Sequence, residues 1–166
     1  MTDVTVFGVR AAKKAVEYVQ SRELVDVDEL AKPELERYEK LASRDTGFTP
    51  PTLMDLVRVN MWENVGVIRD STLLVEAYQR LNEIRDSTRR ILAKPGKQLL
   101  SALEIIMALD VCEFIIRAAM ERRESRGAHY RLDHPEEDPE WRKTIILSKH
   151  DEAIQIDHAA IGEAFE

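Results

Sequence analysis

The stretch ERRESRGAHYRLDHPEED at residues 121–138 marks the place where the pattern of the chain changes. Before it, apolar residues recur at helical spacing, and at Ser125, Arg126 and Gly127 that pattern stops. Gly127 is free to take a positive φ and Pro135 fixes a turn, so the stretch is expected to bend. Basic and acidic side chains alternate through it, which favours an ordered ion-pair network. Arg126 is expected to bind Glu124, Asp133 or the carbonyls freed where the preceding long helix ends. A plain solvated surface loop is the alternative.

Apolar periodicity predicts five helices upstream of that stretch. The first follows a short β-prone run at residues 4–6 and ends near residue 20. The second is expected to begin at Pro33, because proline is tolerated at a helix start, and to end near residue 44. Three longer helices are predicted over residues 52–68, 71–92 and 98–124.

Each of the three long helices carries an apolar stripe, and short turns join them, which predicts an antiparallel bundle. Trp62 is expected in its core, whereas Asp110 and Glu113 are expected at its edge. The predicted stripes are Leu53, Leu56, Val57, Met61, Val65 and Ile68; Leu74, Tyr78, Leu81, Ile84 and Ile91; and Leu99, Leu103, Ile106, Met107, Val111, Phe114, Ile115 and Ala118.

Two short strands are predicted beyond the polar stretch, at residues 144–148 and 153–156, before an acidic tail. The predicted fold class is therefore mainly α. It is an elongated antiparallel three-helix bundle of the spectrin-repeat kind, with an extra N-terminal helix and a short C-terminal β-hairpin or extended tail.

Composition limits what the chain can be. Its 166 residues are 44% hydrophobic and 33% charged, which is a globular balance, and its formal net charge of -7 argues against non-specific nucleic-acid binding. One cysteine, Cys112, excludes a disulfide within the chain and is expected to be a buried thiol. No apolar run approaches the roughly 18 residues of a membrane span. Without a recognisable secretory signal, a cytoplasmic location is predicted.

The sequence contains none of the common self-sufficient active-site motifs. It has no glycine-rich dinucleotide loop and no phosphate-binding loop. Its four histidines, at positions 129, 134, 150 and 158, do not form a helical pair, and one cysteine cannot complete a tetrahedral zinc site. We therefore predict no catalytic residue, no cofactor-binding residue and no metal ligand within this chain.

The order Glu-Ser-Arg-Gly-Ala-His-Tyr-Arg-x-Asp-x-Pro at residues 124–135, followed by an acidic pair and then Trp141, resembles a known signature. It belongs to the C-terminal part of succinate dehydrogenase and fumarate reductase flavoprotein subunits, of which L-aspartate oxidases are relatives. Residues 4–12 resemble the last helix of that family's flavin-binding domain. Residues 61–69 resemble the helix that opens its C-terminal helical domain. We call residues 122–138 the signature loop.

The resemblance implies three segments: residues 1–25 as the last helix of a truncated flavin-binding domain, residues 26–124 as the helical bundle, and residues 125–166 as the loop, strands and acidic tail. The family transfers hydride between succinate or fumarate and FAD. Its flavin-binding and substrate-binding residues lie upstream of Val4. The resemblance therefore implies that FAD belongs to a longer parent protein and that this piece alone binds no cofactor and is inactive.

By resemblance, the signature loop contacts the flavin-binding domain or the iron–sulfur subunit, and partner subunits would hold the protein at a membrane surface. The residues assigned to it are Ser125, Arg126, Gly127, His129, Arg131 and Asp133. The alternative role is to cap the long helix and satisfy buried carbonyl groups. Two other functions stay open: the same domain of an L-aspartate oxidase, or a free-standing helical protein-interaction module. An apolar face on residues 1–20 also predicts self-association.

Overall fold

The computed structural model describes residues 2–23, 27–150 and 153–161, with side chains from residue 6 onward. The described part is mainly helical and ends in a β-hairpin, which confirms the predicted fold class. The chain divides into two compact units, Met1–Arg37 and Tyr38–Glu166. The helices are α1 (Thr2–Gln20), α2 (Asp28–Ala42), α3 (Pro50–Asn64), α4 (Ser71–Thr88) and α5 (Lys97–Glu121). The strands are β1 (Ile68–Arg69), β2 (Tyr130–Arg131), β3 (Lys143–His150) and β4 (Ala153–Ala160).

The first unit contains α1 and the beginning of α2. The predicted β-prone run at residues 4–6 is wrong, because α1 is already helical from Thr2 and its valines continue a single amphipathic helix. From residue 6 onward every side chain of α1 is exposed, including Phe7 and Tyr18. Helix α2 begins at Asp28 rather than at Pro33, with acidic residues in its first turn where they favour the helix dipole.

The second unit is built on α3, α4 and α5, which pack against one another as the predicted bundle. Thr49 caps α3 by accepting a hydrogen bond from the Thr52 amide, and Asp70 caps α4 by accepting one from the Leu73 amide at 2.9 Å. Helix α3 ends at Asn64, four residues before the predicted boundary, because the chain there turns into β1. The fully buried apolar residues of the bundle include Leu53, Leu74, Leu81, Ile91, Ala102, Ile105 and Ile116.

Helix α5 buries a different side from the one that its sequence indicated. Leu99, Leu103 and Ile106 are only partly buried, whereas Met107, Val111 and Ile115 are exposed. The predicted stripe of α3 is also partly wrong. Leu56 is exposed, and Trp62 is 85% exposed rather than in the core. Ile68 lies in β1 and is exposed as well. The residues that α5 does bury are Ala102, Ile105, Leu109, Glu113, Ile116 and Ala119. Cys112 is half-buried, and burial raises the pKa of its thiol.

Glu113 was expected at the bundle edge but is buried between α4 and α5. It accepts hydrogen bonds from Arg85 at 2.8 Å and from Arg117 at 2.9 Å. Arg85 also donates to Asp110 at 2.8 Å, and Arg117 donates to the Tyr78 hydroxyl at 2.7 Å. The charge of Glu113 is therefore paired twice, which is what a buried carboxylate requires.

The hairpin predicted near the C-terminus is confirmed and extends beyond both predicted strands. Strands β3 and β4 are antiparallel, with Lys143 opposite Ala160 and His150 opposite Ala153. Lys149 binds Asp110 of α5 at 3.0 Å, and the His158 ring lies 3.3 Å from the Glu121 carboxylate. These two contacts hold one face of the hairpin against α5. Within the described ranges, no helix combines the length and apolar content that crossing a membrane requires.

Candidate interaction site at the signature loop

A short parallel pairing brings the signature loop to the end of α3. Strand β1 pairs with β2 so that Arg69 lies opposite Arg131. The Tyr130 amide donates to the Val67 carbonyl at 3.2 Å, and the Leu132 amide donates to the Arg69 carbonyl at 2.8 Å. Two of the three segments that carry the family resemblance, residues 61–69 and the signature loop, are therefore one structural site.

Arg131 lies at the centre of this site and is only 1% exposed. Its guanidinium forms two parallel hydrogen bonds of 2.7 Å with the carboxylate of Asp133. It also donates to the carbonyls of Ala119 at 2.8 Å and Arg122 at 3.1 Å, and to the Ser71 hydroxyl at 2.9 Å. The last turn of a helix leaves carbonyls without partners, and the planar arginine satisfies them here.

Asp133 connects this arginine to the start of α4. Its carboxylate accepts from the Ser71 amide at 3.1 Å and from the Ser71 hydroxyl. The donors of Arg131 are the main cause that holds the pKa of Asp133 well below its usual range. Ser125 completes the arrangement from the other side, because its hydroxyl accepts from the Arg131 amide at 2.9 Å and donates to the His134 carbonyl at 2.9 Å.

Glu124 is the second buried charge of the loop and has no solvent exposure. Arg126 donates to both of its oxygens at 2.8 Å, which confirms one of the predicted acceptors of Arg126, whereas Asp133 binds Arg131 instead. Arg122 donates to Glu124 at 2.7 Å, and the Asp138 amide donates at 2.9 Å. The hydrogen bonds from Arg126 are the largest influence that lowers the pKa of Glu124 to about 2, against the opposing effect of burial.

His129 joins the loop to Arg69. Burial is the main cause that lowers the pKa of His129, and three neighbouring arginines add to it, so the ring is neutral near pH 7. Its Nε2 lies 3.3 Å from the Arg122 carbonyl, and its Nδ1 lies 2.7 Å from Nη1 of Arg69. A neutral ring that donates from Nε2 to the carbonyl and accepts at Nδ1 from the guanidinium satisfies both contacts.

Five of the six residues assigned to the signature loop meet in this hydrogen-bonded network, and Gly127 forms the tight turn between Arg126 and His129 with φ 59°. The sequence assignment missed Arg69 and Ser71, and it gave Glu124 only as a possible acceptor for Arg126. The first two lie at the end of the resembling segment 61–69 or just after it, and that position was the signal for them. No buried polar side-chain atom in the described part lacks a hydrogen-bond partner. The described residues also include no cluster of metal-binding side chains. The hydrogen bonds of this site therefore hold the loop and the end of α3 in one conformation.

An open groove of about 750 Å³ lies beside this site and shares Arg69 with it. One wall is formed by α3, the bend after it and β1, which contribute Arg58, Trp62, Glu63, Gly66 and Arg69, and Ile115 of α5 forms the other. We call it the α3/α5 groove. Arg69 belongs to both features, so the network of the loop also positions one end of the groove.

The fold and the site together define a helical domain of the kind found at the end of certain flavoproteins. The family model for the C-terminal part of the fumarate reductase flavoprotein matches residues 55–163. This chain belongs to that family, whose members with similar sequences include fumarate reductase and succinate dehydrogenase flavoprotein subunits and L-aspartate oxidases.

Individual relatives agree with the family model. A fumarate reductase (CoM/CoB) subunit from Methanothermobacter marburgensis is 32% identical over 90% of this chain, which spans 28% of that relative. The L-aspartate oxidase of Acinetobacter baylyi is 33% identical over 61% of this chain, and the match covers 19% of the length of that oxidase. In the Mycobacterium smegmatis Sdh1 complex, a chain with 28% identity matches 95% of this one with a TM-score of 0.75, and 28% of that chain is covered.

Proposed function

We propose that this chain is the non-catalytic C-terminal helical domain of a flavin-dependent succinate dehydrogenase or fumarate reductase flavoprotein subunit. In this role it packs on the flavin-binding domain of the parent protein and helps to dock an iron–sulfur subunit. The FAD and the catalytic residues belong to the parent, and the assembly lies in the cytoplasm or at a membrane surface. The six loop residues Ser125, Arg126, Gly127, His129, Arg131 and Asp133 maintain the surface that these partners contact.

The closed network of the signature loop is the observation that carries this proposal. Arg131 and Glu124 are buried charges whose hydrogen bonds are all made within the domain. Their side chains therefore cannot bind a substrate, but they hold the loop and the end of α3 in one arrangement. A surface that is fixed in advance loses little conformational entropy when a partner binds. That property suits a docking domain better than it suits an active site.

The other functions have less support. An L-aspartate oxidase would use the same domain, but the relative of that kind from Acinetobacter baylyi matches 61% of this chain against 90% for the methanogen fumarate reductase relative. A free-standing interaction module would not need a flavin-binding partner.

Within the proposal, residues 1–25 end the flavin-binding domain, residues 26–124 form the bundle, and residues 125–166 form the loop, strands and tail.

Flavin content tests the proposal directly. This chain would replace the matching C-terminal segment of the Methanothermobacter marburgensis relative, and the visible spectrum of the fusion would be compared with that of the unmodified relative. We expect the fusion to retain flavin and this chain alone to be colourless and unable to reduce fumarate. The matched control is the same fusion with Arg131→Met. Stoichiometric flavin on this chain alone, or a folded fusion without flavin, would contradict the proposal.

Self-association through residues 1–20 is a separate part of the proposal. The apolar side chains of α1, including Phe7 and Tyr18, are exposed, and a contiguous apolar face favours association. Sedimentation of this chain beside a version that starts at residue 26 measures the effect. We expect the full chain to dimerise at high concentration and the shortened one to stay monomeric. Identical monomeric behaviour of both would remove this part.

A further inference from the structure

The α3/α5 groove exposes an unusual amount of apolar surface. Trp62 is 85% exposed, and the Ile115 side chain opposite it is 42% exposed. An exposed tryptophan in a concave apolar site is typical of residues that dominate the binding energy of protein interfaces. No side chain from the described part of the chain covers Trp62.

The surface continues between the same two helices into a hollow whose lining is both polar and apolar. This second hollow of about 260 Å³ shares Arg58 and lies between Pro51 and Met54 of α3 and Glu104 of α5. On α5, the exposed residues Met107, Val111 and Ile115 follow Glu104 at spacings of three and four, so they lie on one side of the helix. The result is a strip long enough to accept a helix or an extended segment.

Charge at the loop end of the groove is not compensated. Arg69 donates to the carbonyls of Val65 at 3.2 Å and Gly66 at 2.7 Å, and to the neutral ring of His129. Among the described residues no carboxylate pairs with it. The other arginines of this site differ, because Arg122, Arg126 and Arg131 all bind a carboxylate. A segment that enters the groove with a carboxylate near Arg69 would supply the missing charge.

We propose that the α3/α5 groove seats an apolar segment carrying a carboxylate, contributed by the flavin-binding part of the parent flavoprotein. Trp62 is its central apolar contact, and Arg69 binds its carboxylate. This inference rests on the proposed function. The relative lengths of the chains support it, because the matched family model describes a C-terminal part and this chain spans 28% of the Methanothermobacter marburgensis relative. The apolar lining of the groove and the charge of Arg69 support it as well. So much exposed apolar surface suits a permanent contact better than one that forms and separates.

Oxidative labelling of the two tryptophans tests the proposal. Hydroxyl radicals modify exposed tryptophan, and mass spectrometry separates Trp62 from Trp141, which serves as the internal control. We expect labelling of Trp62 to fall severalfold in the flavin-loaded fusion described above relative to this chain alone, with Trp141 unchanged. Equal labelling of Trp62 in a flavin-loaded fusion would overturn this inference and leave the proposed function standing. A folded fusion that carries no flavin would overturn both.

Variants in the fusion identify the contacts. Trp62→Ala and Arg69→Gln should each release flavin at lower urea concentration, whereas Val75→Ala, on a different helix, should not. Arg69→Lys should recover part of the loss because it keeps the charge. Trp62→Ala in this chain alone should leave its own melting temperature unchanged, since the side chain is exposed. Flavin retention by Trp62→Ala equal to that of the unmodified fusion would contradict the proposed contact. Protection of Trp62 in this chain at high concentration would instead identify a second copy as the occupant.

Discussion

The bundle core and two charged side chains of the signature loop are buried to the same degree but are held by different kinds of interaction. In the core, Leu53, Leu74 and Leu81 have no exposure and belong to one cluster of buried apolar side chains, whose packing has no preferred direction. In the loop, Glu124 and Arg131 are as inaccessible, yet each is held by hydrogen bonds of fixed geometry. A core tolerates substitutions that keep volume, whereas a buried charge tolerates no loss of its partner. The domain therefore has one adaptable region and one that admits a single arrangement.

The largest effect should come from Arg131→Met, which keeps much of the volume and removes every donor. Asp133 and the carbonyls of Ala119 and Arg122 would lose the donors that Arg131 provides. Breaking a buried pair in this way costs about 3–5 kcal/mol. Urea unfolding at neutral pH measures it, with the exposed Arg142→Met as the control. A loss no greater than that of the control would show that the loop is not held by this arginine.

A slightly smaller loss of stability is expected from a substitution in the bundle core. Leu109 is 1% exposed, so Leu109→Ala should lower the free energy of unfolding by about 2–5 kcal/mol. Leu103→Ala should cost clearly less, because Leu103 is only partly buried. The same urea experiment compares the two. Equal losses would mean that α5 buries the side indicated by its sequence.

Acid should weaken the loop before it weakens the core. The pKa of Glu124 is about 2 in the folded domain against an ordinary value of 4.5, so the unfolded chain takes up the proton first as the pH falls. The stability from this carboxylate is therefore complete above about pH 4.5 and is lost as the pH falls towards 2. Across this pH range the free energy of unfolding of Glu124→Gln should fall less steeply than that of the wild type. At pH 7 the variant should already be less stable than the wild type. The free energy of unfolding of Leu109→Ala should fall with pH in parallel with that of the wild type. If Glu124→Gln shows the same pH dependence as the wild type, the lowered pKa does not belong to Glu124.

The smallest effect should come from Arg126→Lys. Arg126 binds both oxygens of Glu124, and a lysine cannot reproduce this two-point contact. Arg122 and the Asp138 amide would still hold the carboxylate, so only a modest fall in melting temperature is expected. Thermal melts beside Arg142→Lys measure it. Coincident melts would mean that Arg126 serves a partner rather than the loop.

Much of this contrast could be predicted from the sequence. Helical periodicity placed α3, α4 and α5, and the alternation of charges after Ser125 indicated an ion-pair network. Arg131 was assigned to the loop, but its burial was not expected. Arg131 and Asp133 lie at a turn closed by the hydrogen bond from the His134 amide to the Arg131 carbonyl, so their pairing depends on the turn and not on strand periodicity.

The rest could not be predicted for identifiable reasons. Helix α5 meets α3, α4 and the hairpin, so apolar residues occur on nearly all of its sides and periodicity cannot select the buried one. The spacing of Trp62 predicts a core position, because apolar residues at helical spacing usually pack inside, but the side chain is exposed. The pairing of β1 with β2 involves two residues on each side, too few to leave a pattern in the sequence.

That pairing also has a consequence for the order of folding. It joins positions about sixty residues apart, and closing so long a loop has an entropic cost that the bundle must first offset. The strands cannot meet until α4 and α5 have reversed the chain, so the charged contacts around Arg131 should form after the transition state. Substitutions there should speed unfolding and leave the folding rate nearly unchanged. The leucine core would then decide how fast the domain forms, and the arginine network how long it stays folded.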